Sequence, residues 1–466
     1  MVGMKNTLRI AFICALAFYG CKKQNEWLDE KRQISDNVPK TLKDFQAIID
    51  NTTIMNATYP TIGLLGTDDY YFPDGIVSSL NAINRNGYLW NKEIFEGQPS
   101  SEYNSAYNIV ASANIILEGV EALDKSAEKI SDYNNVKGQA LFFRAMMFYE
   151  LSTIFCKQYD VNTATNDLGI CIRTISDVHH LEPRSSVEKT YNLITHDLKV
   201  SASLLPAVAV YKTRPCKSAA FALLARTYLQ MGNYADAKEY ADSALTYTNK
   251  LLDFNSETIS ILKPYRFPDF KLENPEILFY AVGFPYAVIS PSVSSNRSYI
   301  DSVLYQSYNE NDLRKTYLFA IDNTGKAKFR GSYTGIDMVF TGIGINEVYL
   351  IRAESNARLN NVTSATEDLN KLLINRYKKG TYSEFLTNNP DTALIKILEE
   401  RRKELPFTGQ IRWQDLKRLN KESRFAKVLN RSYNGTLYEL FPNDKRYVYP
   451  FPQNEIDLAG IQQNER

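Results

Sequence analysis

Ser218-Ala-Ala-Phe-Ala-Leu-Leu-Ala-Arg-Thr-Tyr-Leu-Gln-Met-Gly-Asn-Tyr-Ala-Asp-Ala-Lys-Glu-Tyr-Ala-Asp-Ser-Ala-Leu245 reads as two helices and the turn between them. Ala225, Tyr228, Gly232, Tyr234, Ala237 and Ala244 fall in the order and spacing of a tetratricopeptide repeat. Alanine and tyrosine sit on the first helix, glycine at its end, and tyrosine then alanine on the second. Small alanines let the two helices approach closely, and the tyrosines fill the space beside them. Gly232 provides the C-terminal cap, where the chain must take positive φ. One such pair cannot bury its apolar face alone, and about three are needed for a continuous core, so the rest of the chain must supply further pairs.

Working outward, residues 346–376 form a weaker copy. Ala353, Ala357 and Ala365 provide the small contacts, and Asn360-Asn361 replaces the glycine turn. Residues 136–155, a crowded run through Ala140, Leu141, Phe143, Arg144, Met147, Phe148 and Leu151, predict a helix buried on much of its surface, the first of another pair. Residues 101–123 place Tyr103, Tyr107, Val110, Ala111, Asn114, Ile115 and Leu117 near one stripe at three- and four-residue steps. Helical-repeat segments are therefore expected at about 101–155, 186–245 and 346–420. Between them, about 58–99 and 263–341 are non-periodic and rich in Pro, Tyr, Ser and Gly, with strand-like pieces at 277–282 and 338–340. Long loops in a compact protein are commonly functional, and frequent aromatics argue against disorder. The expected fold is mainly α: a tetratricopeptide-like helical-repeat scaffold carrying a loop-rich, partly β ligand-binding face.

The amino terminus carries an address. Residues 1–9 are short and basic, 10–17 form an unbroken apolar run, and Phe18-Tyr19-Gly20-Cys21 leads into the polar Lys22-Lys23-Gln24-Asn25-Glu26. That order describes a secretory signal over residues 1–20, and its apolar run is too short to span a bilayer, which takes about 20 residues. A cysteine directly after the small residue predicts the bacterial lipoprotein variant, with Cys21 acylated and residues 21–466 forming one tethered domain; a plain secreted protein is the alternative. Lipid is then the membrane anchor.

Composition narrows the chemistry. There are 54 basic and 53 acidic residues, with no basic stripe of the kind that nucleic acid requires. Cys156, Cys171 and Cys216 are widely spaced and odd in number, which leaves room for one pair, and they read first as buried free thiols. His179, His180 and His196 lack zinc-ligand spacing. No nucleophile elbow or phosphate-binding loop occurs, and no cofactor is called for. Two acidic pairs, Asp68-Asp69 and Glu399-Glu400, raise the question of catalytic carboxylates, which glycosidases set at a defined separation. Adjacent residues diverge, so neither pair flanks a bond, and Glu399-Glu400 reads most simply as a solvated helix face. Asp68, Asp69 and Asp74 lack the spacing of a calcium loop.

What the chain holds in quantity is aromatic surface: 31 Tyr and 23 Phe. Sugar rings stack their C–H faces on aromatic side chains while Asn, Asp and Arg bind the hydroxyls. Asp69, Tyr71, Arg85, Tyr88, Trp90 and Asn91 supply that mixture in one stretch. Phe284, Tyr286, Tyr299 and Tyr305, with Tyr333 further on, supply a second. The competing reading for each aromatic is packing of loops onto helices.

Near the carboxyl end, Glu399-Glu400-Arg401-Arg402-Lys403-Glu404-Leu405-Pro406-Phe407-Thr408-Gly409 leads into Arg412-Trp413-Gln414-Asp415-Leu416-Lys417-Arg418-Leu419-Asn420. This resembles the signature of the SusD/RagB family of outer-membrane nutrient-binding lipoproteins of Bacteroidetes. Glu26-Trp27-Leu28-Asp29 resembles the family's mature start, and 38–45 its first helix entry. Residues 347–354 resemble its repeat helix, and Tyr449-Pro450-Phe451-Pro452 its closing segment. The signature itself reads as scaffold, with Glu404 or Asp415 pairing an arginine and Trp413 and Leu416 buried. The resemblance implies a non-catalytic protein on the outer face of the outer membrane. It would bind an oligosaccharide and close as a lid over a SusC-like TonB-dependent transporter. Three alternatives stay open: the same fold with a peptide ligand, a tetratricopeptide-like scaffold for protein partners, and a hydrolase.

Overall fold

The computed structural model describes residues 38–124, 129–268 and 274–466. The signal segment, Cys14, Cys21 and 26–29 lie outside the described residues, with the expectations attached to them. Helices of eight residues or more are α1 (Leu42–Ile49), α2 (Ser101–Ala122), α3 (Ile130–Phe155), α4 (Val187–Leu204), α5 (Lys217–Met231), α6 (Tyr234–Tyr247), α7 (Ile345–Arg358), α8 (Val362–Leu373), α9 (Pro390–Glu404) and α10 (Ile411–Leu419). From α2 to α8 each helix packs on the next in sequence, including α6 on α7, although residues 248–344 intervene. The repeat array is thus continuous in space and interrupted in the chain.

Local chemistry explains these elements. At α1, Thr41 Oγ1 accepts from the Asp44 N–H, and Asp44 Oδ2 accepts from the Thr41 N–H, which is a capping box. The helix then buries Leu42, Phe45 and Ile49. Phe45 lies so close to Gly119 on α2 that a Cβ there would sit 2.1 Å from its ring, so only glycine permits the crossing. Every residue of α3 from Gly138 to Phe155 is buried. Within it, Arg144 makes a bidentate pair with Asp197 on α4 (2.7 and 3.0 Å) and donates to Asn114 Oδ1 on α2, tying three helices together.

The α5–α6 pair is built as its spacing predicts. Gly232 takes φ of 75°, and its N–H donates to the Leu229 carbonyl. Tyr228 stacks on Tyr240 at 5.4 Å, and Ala237, Ala241 and Ala244 are buried. In α7–α8, Asn360 takes φ of 62° where the glycine would stand, and Arg352 forks onto Asp368. In α2 the expected stripe is displaced. Ile115 is 39% exposed, because the buried face runs through Ile109, Ala113, Ile116 and Val120 as well as Tyr103 and Tyr107.

Ten short strands form five antiparallel pairs among the described residues. These are β1 (Tyr70–Tyr71) with β5 (Tyr299–Ile300), β2 (Leu168–Cys171) with β3 (Arg184–Ser186), β4 (Ile277–Phe279) with β8 (Ile343–Gly344), β6 (Phe319–Ile321) with β7 (Ala327–Phe329), and β9 (Leu429–Tyr433) with β10 (Thr436–Leu440). The two expected strand pieces meet, with Val282 bridging Phe340. Phe279 on β4 packs against Phe142 and Phe143 of α3, so the loop face and the helical array share one core. Segment 58–99 is less irregular than its composition indicates, since it holds a 3-10 turn, Ile62–Gly66, and the short helices Asp74–Ser79 and Ala82–Tyr88. Cys156, Cys171 and Cys216 are buried free thiols.

Candidate functional site

Two residues set the site in place. Asp68 is gripped by Arg412 on α10 through both carboxylate oxygens (2.7 and 2.9 Å) and by Lys427 at 2.7 Å. Asp69, fully buried, pairs with Arg402 on α9 at 3.3 Å, while Arg402 also donates to the Asp68 carbonyl. Burial opposes the charge on Asp68, but Arg412 and Arg402 outweigh it and hold its carboxyl well below the usual range. The Asp301 N–H donates to the Asp69 carbonyl, bringing the second loop segment alongside the first.

Strand geometry does the rest. Side chains alternate across a strand. In the β1–β5 pair, Tyr70 and Ile300 therefore turn inward and are buried, and Tyr71 and Tyr299, directly opposite one another in register, turn outward. Tyr71 is 36% exposed, and its ring lies 5.7 Å from that of Tyr299. Lys326 Nζ stands 4.7 Å from the Tyr299 ring centre and 5.9 Å from that of Tyr71. Lys328 Nζ lies 5.2 Å from Tyr299, and Arg297 reaches Ser79 Oγ close by. The result is a shelf of two tyrosine rings with Lys326 Nζ over both and Lys328 Nζ over Tyr299. It can stack a sugar face and donate to its hydroxyls.

The other residues singled out from sequence lie deeper. Tyr88 and Trp90 are buried and, with Tyr70, cage the guanidinium of Arg431 from β9, which lies 3.6 Å from the Tyr88 ring centre and 4.6 Å from that of Trp90. Trp90 donates its indole N–H to the Gly66 carbonyl. Tyr286 donates to Glu102, and Tyr333 to Glu276, both inside the core. Arg85 is half-buried and reaches the Leu80 carbonyl, Asn91 donates to Asn86, and Phe284 is half-buried against Tyr286. Tyr305 is half-buried, edge-on to Phe319. Of the eleven residues singled out, Tyr71 and Tyr299 lie on the shelf. Lys326, Lys328 and Arg297 did not emerge from composition. The Lys326-Ala327-Lys328 alternation, read as a strand, places both lysines on one face and could have indicated them.

Comparison with known proteins places this geometry. A family model described as starch-binding and associating with the outer membrane matches residues 26–229, and the SusD family model matches residues 321–465. The chain belongs to the SusD family. It is 23% identical over 421 residues to SusD-like protein P2 of Formosa agariphila, across 77% of this chain and 78% of that one. Among solved structures, a SusD superfamily protein from Bacteroides thetaiotaomicron superposes with a TM-score of 0.73 at 22% identity, covering 91% of this chain and 100% of the other. A SusD-like carbohydrate binding protein from Bacteroides vulgatus gives 0.67 at 18%, covering 91% and 97%.

The SusD signature on α9 and α10 is a buried ion-pair lattice. Arg314 lies between Asp312, Glu400 and Glu404, Arg376 between Glu276 and Glu404, Arg401 pairs with Asp415, and Arg418 pairs with Glu354. Glu399 is exposed, but Glu400 is fully buried. The expected solvated face is therefore corrected, because Arg314, Lys396 and Lys403 converge on that carboxylate. Trp413, fully buried, fills the space over Gly63 and Gly66. In this SusD family chain the signature holds the shelf's foundations and does not line the shelf.

Proposed function

We propose that this chain captures oligosaccharide non-catalytically on the Tyr71–Tyr299 shelf. It does so as a lipoprotein tethered through Cys21 to the outer face of the outer membrane, passing its ligand to a SusC-like TonB-dependent transporter beneath it. The observation that carries the reading is the cross-strand tyrosine pair, Tyr71 exposed and Tyr299 half-buried, with lysine ammoniums over the rings, in a chain of the SusD family. Carbohydrate binding agrees with the family's description and with the relative from Bacteroides vulgatus. A shallow aromatic site gives modest affinity, with the surrounding polar groups selecting the sugar. Transport energy would come from the barrel.

Calorimetry of the mature chain against neutral glycan and peptide panels tests the site. Tyr71→Ala and Tyr299→Ala should each weaken glycan binding by about tenfold, roughly 1.4 kcal/mol, while Tyr71→Phe keeps most of it. Trp90→Ala should lower the melting temperature instead, since its ring is internal. Unchanged affinity in both alanine variants overturns the shelf, and binding of peptides alone overturns the glycan. Loss of fatty-acid labelling in Cys21→Ser tests the tether.

A further inference from the structure

The chain as a whole is balanced in charge, with 54 basic and 53 acidic residues, but the sequence around the shelf is not. Residues 277–300, which run from β4 to β5, hold Arg297 and no carboxylate. Residues 323–336, which contain β7, hold Lys326, Lys328 and Arg330 and no carboxylate. Strand β7 packs beside β5, so the two stretches share one surface.

The carboxylates that border this surface are engaged. Asp322 Oδ1 accepts from the Thr324 N–H, the Thr324 hydroxyl and the Lys326 N–H, which caps the β6–β7 turn. Asp322 lies near enough to feel the charge of Lys328, yet it pairs with neither lysine. Asp337 lies by Arg330, and Asp301, next after β5, faces Arg402 at 3.8 Å.

Lys326 is exposed and Lys328 half-buried, and neither makes an ion pair among the described residues. Lys326 Nζ rests over the two shelf rings, 4.7 Å from the centre of Tyr299 and 5.9 Å from that of Tyr71. Lys328 Nζ donates to the Asn296 carbonyl at 3.1 Å, and an ammonium has three donors, so two remain. Arg297, exposed and also without an ion pair among the described residues, adds to the positive field.

The Lys326 ammonium occupies ring surface on which a sugar would stack. A neutral pyranose must move it and offers only hydroxyl contacts in return. A carboxylate or sulfate ester moves it and pairs with it, and a charge-assisted hydrogen bond is stronger than a cation–π contact at an exposed site. The same movement frees the tyrosine face for the ring that bears the anion.

We propose that the shelf selects acidic glycans: a uronate carboxylate or sulfate ester pairs with Lys326 and Lys328 while the sugar ring carrying it stacks on Tyr71 and Tyr299. This rests on the reading of the shelf as the glycan site and adds the class of glycan it takes.

Calorimetry of the mature chain with two matched pairs tests it: trigalacturonate against its methyl ester, and a κ-carrageenan hexasaccharide against its desulfated form. At least one acidic probe should bind about tenfold more tightly than its neutral partner, and which pair shows the difference separates uronate from sulfate. Lys326→Gln should remove most of that preference, weakening the acidic probe about tenfold and leaving the neutral one bound at least as tightly. Its melting temperature should match that of the parent chain, since the side chain is exposed and unpaired. Lys328→Gln should weaken acidic binding severalfold, and Lys43→Gln, an exposed lysine on α1, should change nothing. Raising NaCl from about 50 to about 500 mM should weaken the acidic probe and spare the neutral one.

Equal affinity within both pairs, with Tyr71→Ala still weakening each probe, overturns the acidic class and leaves the shelf standing. So does silence from all four probes beside a neutral glycan that binds and responds to Tyr71→Ala. An acidic preference that survives Lys326→Gln or Tyr71→Ala unchanged overturns the placement. Absence of any glycan binding that depends on Tyr71 overturns the shelf and this proposal together.

Discussion

Glu102 is an acid in the wrong solvent. Its carboxylate accepts from the Thr61 N–H at 2.6 Å and from the Tyr286 hydroxyl at 2.9 Å, yet burial dominates and pushes its pKa up to about 7. Burial does the same to Glu150, against the pull of Arg226 and Gln410. Glu354 goes the other way: Arg418 and Arg358 overcome its burial and hold it at about 2. The signs then follow. Between pH 4.5 and 7 the folded chain keeps protons on Glu102 and Glu150 that the unfolded chain has released, so stability falls as pH rises through that window. Glu354 contributes fully above pH 4.5, and its contribution is lost as pH falls toward 2. From these three groups the melting temperature should be highest near pH 4 and decline toward pH 8. Glu102→Gln should flatten that decline, recovering at most about 3 kcal/mol at pH 8 and little at pH 5. A parallel decline in the variant would show that Glu102 does not titrate in the window. Tyr286 was legible in the sequence as an available aromatic but not as the partner of Glu102, 184 residues away. Chain-distant pairing of this kind leaves no local trace.

Between elements, the decisive joint is the one from α9 and α10 to β1. Arg412 and Arg402 hold Asp68 and Asp69, and these two residues lead directly into the strand whose outer side chain is Tyr71. Arg412→Met would leave the Asp68 carboxylate in a part-buried site with Arg402 and Lys427 only, and breaking a buried pair costs about 3–5 kcal/mol. The expected outcome is a lower melting temperature and weaker glycan binding together, with Arg412→Lys partly restoring both. Weaker binding at unchanged stability would instead mean that Arg412 touches ligand. A steric joint offers a second check. Gly119→Ala drives a methyl into the Phe45 ring, and overpacking of this kind costs about 1–3 kcal/mol, readable as a lower denaturant midpoint. The α5–α6 and α7–α8 pairs were legible because a helix writes its contacts three and four residues apart. Strands β1 and β5 are two residues each, too short for period-two alternation to speak. Glu400 looked solvated because a charge run shows its neighbours in the chain and hides Arg314, 86 residues away.

At the scale of the molecule, the question is whether the loop face is an ornament on a self-sufficient repeat array. Residues 248–344 enter between α6 and α7, which nevertheless pack together, so excising the excursion would leave the array's own order intact. The interior says otherwise. Phe279 packs on Phe142 and Phe143, Glu276 neutralises Arg376, and Tyr333 caps Glu276. Arg314, which satisfies Glu400 and Glu404 on α9, also comes from the excursion. Removing residues 263–341 would take one buried partner from each of Arg376, Glu400 and Glu404 at once, and breaking buried pairs costs several kcal/mol against a total stability of about 5–15 kcal/mol. The truncated chain is therefore expected to lose its cooperative thermal transition in circular dichroism while keeping much of its helical signal. A protein-binding repeat scaffold with dispensable loops predicts the opposite, a cooperative melt within a few degrees of the full chain. That result would favour the scaffold over the capture protein, because a loop face that can be cut away without loss is not the reason the core is built around it.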